Sequence, residues 1–169
     1  MIVAAAAGTS PLSKLIMWAL NEPVSHFIII DGKLVFHSNL LGVNISSLQA
    51  IQQTHKIVYQ VTPPATTVQR QTVYNDVTDK VIGDAYDYRA FFYFCWRALL
   101  FKCFKTPLPV KVPWNTNSEF MSKFLCTEMG ELLPPEWIKP LDPKELGIVS
   151  PYKLIQAVMA NFPGQSQTF

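Results

Sequence analysis

A chain of 169 residues is long enough for one ordinary domain, which at that size buries about 70% of its unfolded surface. With 49% hydrophobic, 12% aromatic and only 15% charged residues, it reads as a globular protein with an apolar surface. A net charge of +2 without a Lys/Arg run excludes a nucleic-acid binder that works by neutralising phosphates.

In chain order, MIVAAAAG opens with a short apolar stretch, IVAAAA, expected to form a buried strand. It has no basic flank and is too short to serve as a secretory signal or a membrane span. Pro11 then opens a helix, SPLSKLIMWAL, with Leu12, Leu15, Ile16 and Ala19 at helical spacing and Asn21 near its end. VSHFIII and KLVFHS flank Asp31-Gly32, a strong hairpin signal, and predict strands over 24–30 and 33–38. Gly42-Val43-Asn44-Ile45 follows, then SSLQAIQQTH as a short helix and KIVYQVT as a strand ended by Pro63-Pro64. ATTVQRQTVYNDVTD fits neither period.

Residues 84–104 predict a strong helix capped by Asp84. Its apolar run AFFYFCWRALLF (90–101) carries Arg97 and is too short to cross a bilayer, so a buried helix is expected, with peripheral lipid contact as the other reading. KTPLPVKVPWN is a loop by its prolines. Ser118 caps SEFMSKFLCTEMGELL, and Pro151 starts a last helix, PYKLIQAVMANF. With no repeat, low-complexity tract or boundary, residues 1–169 form a single α+β domain.

Three cysteines, Cys95, Cys103 and Cys126, show no CxxC or CxxH spacing. They argue against a disulfide framework and a structural zinc site, and for a reduced compartment, cytoplasmic by default. His26 and His37 bracket the hairpin. Counted from a two-residue turn at 31-32 they are equidistant, which predicts cross-strand neighbours with Cβ atoms about 5 Å apart. Two such imidazoles can act as base and orienter; the bland reading is two partly buried histidines satisfied by hydrogen bonds. His55 stands in a polar segment with no partner at ligand spacing, so no metal is expected. Cys126 is the candidate nucleophile because it lies in polar company on a helix. Cys95 and Cys103, inside the aromatic helix, read as small buried hydrophobes.

The order of these features resembles the permuted papain-like (NlpC/P60-related) cysteine hydrolases. PLSKLIMWALNEPVSHFII is similar to that family's helix leading into its Ser-His strand, VFHSNLLGVNI to the segment with its third polar residue, and DAYDYRAF to its Tyr-Asp helix start. Cys126-Thr127-Glu128-Met129 stands where the family carries C-S-E-[LFV], and GIVSPYKLI is similar to its closing segment. The resemblance implies a circularly permuted papain-like fold, a small antiparallel sheet or barrel against helices, with a catalytic cysteine at a helix N-terminus. It implies Cys126 as nucleophile, His26 as general base and acid, and His37 as orienter, with no cofactor. A histidine in the third place resembles the lecithin:retinol acyltransferase-like branch, although the cysteine motif differs from that branch. The activity implied is hydrolysis or acyl transfer at an amide or ester, with a peptide, isopeptide or lipid-like acyl substrate. Two other classes stay open: a catalytically silent interaction protein using Phe91, Phe92, Tyr93, Trp96, Phe101 and Phe104 as a contact face, and a lipid acyltransferase or phospholipase-like enzyme with those aromatics at a membrane surface.

Overall fold

The computed structural model of the chain describes residues 1–39, 42–83, 88–105, 132–139, 141 and 149–169. Its centre is strand β1 (Ile2–Gly8), whose alanines lie at 0% exposure at positions 4, 5 and 6. β1 pairs with β2 (His26–Asp31) on one side and with β5 (His55–Val61) on the other. Outside β2 come β3 (Leu34–Asn39) and β4 (Gly42–Ser47), and outside β5 comes β6 (Ser166–Thr168). The order is β4-β3-β2-β1-β5-β6 with every pairing antiparallel. The fold is thus α+β with a six-stranded sheet, open at β4 and β6 rather than closed into a barrel.

Alternation along the strands divides the core. Val3, Ala5, Phe27, Ile29, Phe36 and Val61 point to one face. There they meet Val73 and Val77 of α3 (Thr67–Lys80), Trp137, and Leu154, Ile155 and Val158 of α5 (Pro151–Asn161). Ala4, Ala6, Ile28, Ile30 and Val35 point to the other, covered by Ile51 of α2 (Leu48–Thr54). His26 and His37 share this second face by the same alternation.

Helix α1 (Pro11–Leu20) forms as its sequence predicts: Ser10 is the N-cap, Pro11 takes the first turn, and Asn21 ends it in the left-handed region at φ 57. The ambiguous segment becomes α3 through a capping box, in which Thr66 and Gln69 each satisfy the other's backbone N–H. Only Val73 and Val77 of that helix are buried, which explains its faint helical period.

Two expectations change. The hairpin turn occupies Gly32 and Lys33, with Gly32 at φ 61, and Asp31 closes β2 opposite Leu34. A Gly at the first loop position with positive φ suits a two-residue hairpin turn. α4 (Tyr88–Phe104) is not a buried helix: Trp96 is 58% and Phe101 53% exposed, Cys103 is exposed and Cys95 is only half-buried. The reason is that α4 packs against α1, and none of its described side chains joins either sheet-face core. Asp84, the proline-rich loop beyond Lys105, and most of the helix expected from Ser118, Cys126 included, lie outside the described residues.

Candidate functional site

The site is built at the C-terminal end of β1, where the strand runs out of side chains. Ala6 pairs with His26 on β2, and Gly8 pairs with His55 on β5. Strands on either side of a central one are about 9.6 Å apart, twice the strand spacing, so two rings can meet over β1 only if it carries little there. With Ala6 and Gly8 beneath them, the His26 and His55 rings approach to 4.5 Å between centroids, edge to face at 77°.

Gly8 has a second role. A Cβ on it would lie 2.2 Å from the Ser13 Oγ and 3.1 Å from the His26 Nε2, so the first turn of α1 rests on this glycine. That seating brings the Ser13 Oγ to 3.0 Å from His26 Nε2 and 2.9 Å from Ser10 Oγ. Ser25, just before β2, accepts the Gly8 N–H at 3.1 Å and donates its own N–H to Ala6 O, tying the two strand ends together. One consistent proton arrangement runs from His26 Nε2–H to the Ser13 oxygen, and from the Ser13 hydroxyl to Ser10, whose oxygen also caps the Ser13 N–H. In that tautomer the His26 Nδ1 keeps a free lone pair.

His37 is placed on the same face but does not sit opposite His26. The pairs Ile29 with Phe36 and Ile30 with Val35 continue to Ile28 opposite His37, which sets His26 one diagonal step away. The expected direct pairing assumed a turn at 31-32, and moving the turn by one residue shifts every partner by two. Parity is kept, so both imidazoles stay on one face. The Nε2 of His37, 6% exposed, bonds Ser46 Oγ at 2.7 Å, across the β3–β4 pair.

All three histidines are held below the ordinary imidazole range. Burial pushes His26 down to about 3, and His55 and His37 reinforce the shift because a second positive charge nearby is unfavourable. Burial also lowers His37, helped by His55 and opposed by a hydrogen bond at Ser38, and lowers His55 against a hydrogen bond at Ile51. At neutral pH the cluster is therefore uncharged. His55 Nδ1 bonds Thr54 Oγ1 at 2.8 Å, and the ring borders a shallow groove of about 400 Å³ lined by Thr9, Gln52, Gln53, Lys56 and Ile57.

Of the residues singled out by sequence, His26 and His37 are brought to one sheet face, and Cys126 is outside the described residues. Ser13, Gly8 and His55 were not legible as site residues. Ser13 lies at helix position three after an N-cap serine, where a serine is ordinary. His55 is 29 residues from His26 in sequence, and only the β1 register joins them. Among the described residues no group of three or more His, Cys, Asp or Glu is arranged to hold a metal, and no helix is long and apolar enough to cross a membrane. Comparison of the chain with protein-family models, with curated proteins and with solved structures finds no match.

Proposed function

We propose that the chain is a cysteine-dependent hydrolase or acyltransferase of permuted papain-like type, acting on an amide or ester through a thioester, with Cys126 as nucleophile and His26 as its base. The observation that carries this reading is the His26 imidazole, neutral, anchored by the Ser13 hydroxyl at 3.0 Å, and flanked by His55 at 4.5 Å. A neutral ring fixed at one nitrogen presents the other in a set direction, which is what a general base requires. The order of the His26 strand before the FLCTEM segment supports the same family reading.

In the mechanism, His26 takes the Cys126 thiol proton and the thiolate sulfur bonds the substrate carbonyl carbon. The carbonyl π electrons move to oxygen, and the Cys126 backbone N–H is the default donor to that oxyanion. Collapse breaks the C–N or C–O bond while imidazolium returns the proton to the departing amine or alcohol, and water or an acyl acceptor then cleaves the thioester. A thiolate beside His26 favours its protonated form, offsetting the depression that burial imposes on the free ring. Ser13 holds the ring at Nε2, while His37, one diagonal step away, is tied to Ser46.

The Ser13–His26 pair also has nucleophile-and-base geometry. Ser13 is only 3% exposed, however, and its hydroxyl and N–H are both engaged by Ser10, so it suits anchoring better than attack. A haloacetamide probe tests the choice. Cys126 should be alkylated faster than Cys103, the exposed reference thiol, and His26→Ala should slow that labelling by about 10²-fold. Labelling of Cys126 no faster than Cys103, or untouched by His26→Ala, would overturn the proposal.

A further inference from the structure

We propose that the exposed faces of α1 and α4 form a docking surface for an anionic lipid bilayer. On α4, Trp96 (58% exposed), Leu99 (39%) and the exposed Cys103 follow one another at spacings of three and four, which is one stripe of a helix. α1 packs against α4 and exposes Leu15 (40%) and Trp18 (45%), and the Lys102 ammonium lies over the Trp18 ring at 4.1 Å, so the two apolar surfaces meet at a cation. Large exposed apolar groups gathered on two neighbouring helices mark an interaction face.

The charge on that face selects the occupant. Neither α1 nor α4 contains an Asp or Glu, while Lys14, Arg97 and Lys102 lie on them and Lys105 follows directly. No ion pair among the described residues neutralises any of these cations. A second copy of the chain docking face to face would bring like charges together. An anionic bilayer instead takes the indoles and leucine side chains at its interface and the ammonium groups among its headgroups. α4 spans 17 residues with cations inside it, so it lies on the surface rather than crossing it.

The test is co-sedimentation of the full chain with vesicles of phosphatidylcholine alone and of phosphatidylcholine with about one third phosphatidylglycerol. The protein should partition to the anionic vesicles and much less to the neutral ones, and salt at about 0.5 M should weaken the binding. Trp96→Ala with Leu99→Ala, and separately Lys14→Glu with Lys105→Glu, should each lower partition roughly tenfold or more, with an unchanged circular dichroism spectrum. Cys126→Ala should partition like wild type, so that this surface and the catalytic reading stand or fall separately. No partition to anionic vesicles at low salt would overturn the proposal, as would equal partition by both double variants. So would a wild-type dimer in light scattering that Trp96→Ala with Leu99→Ala dissociates.

Discussion

The direct contact with His26 expected of His37 is made by Ser13. The Ser13 hydroxyl touches His26 directly at Nε2, whereas His37 is engaged with Ser46 at 2.7 Å. A neutral hydrogen bond contributes about 1 kcal/mol, so Ser13→Ala should lower kcat about fivefold with little change in KM. His37→Asn, which can still bond Ser46, should retain more activity than His37→Ala, because a hydrogen-bonding group in that place keeps the β3–β4 pair aligned. Steady-state kinetics on any accepted thioester or amide substrate distinguish the two positions. A Ser13→Ala enzyme with wild-type kcat would remove Ser13 from the orienting role.

At the scale of elements, the site depends on a helix resting on a strand. α1 can approach β1 only because Gly8 has no side chain, and it arrives with its cap and first turn already made by Ser10 and Pro11. Gly8→Ala places a methyl 2.2 Å from the Ser13 Oγ and 2.7 Å from its Cβ, so the first turn must lift or the serine must turn away. Overpacking of this kind costs about 1–3 kcal/mol, and chemical denaturation should show a loss in that range. The same variant should lose the His26 anchoring, so its rate of Cys126 alkylation should fall along with its stability. Full stability in Gly8→Ala would mean that α1 accommodates the methyl without relying on this contact.

For the whole molecule, the buried histidines set a dependence of stability on pH. His26 is lowered from 6.5 to about 3, so between those values the unfolded chain binds a proton that the folded chain refuses. Its contribution is therefore complete above about pH 6.5 and is lost as pH falls toward 3, by at most about 1.4 kcal/mol per pH unit. His37 and His55, also lowered, act in the same direction in the upper part of that window. Glu22, whose carboxyl burial raises it despite its bond to Ser150, acts oppositely, losing its contribution as pH rises through its folded value. Urea titrations at about pH 7 and 5 should show wild type weaker at the lower pH, and His26→Gln should flatten the difference. Equal slopes in the two proteins would refute the assignment to His26.

The sequence by itself determined the elements with strong local signals, although not α3, whose weak period left it ambiguous. Ser10 and Pro11 start α1, the Asp31-Gly32 region turns the hairpin, and Ser150 with Pro151 starts α5, each through backbone groups a few residues apart. It also placed His26 and His37 on the same side of a sheet, since strand parity gives that for any two-residue turn. What only the tertiary structure decided is which distant segments flank β1. Pairing with β2 and β5 sets His26 and His55 over Ala6 and Gly8, and nothing in the segment around His55 carries that information. The exposure of α4 was hidden for a related reason. A run of apolar residues tells that a surface wants covering, but whether the sheet covers it depends on how the helices share two faces, and here α3, α5 and α2 had already taken them.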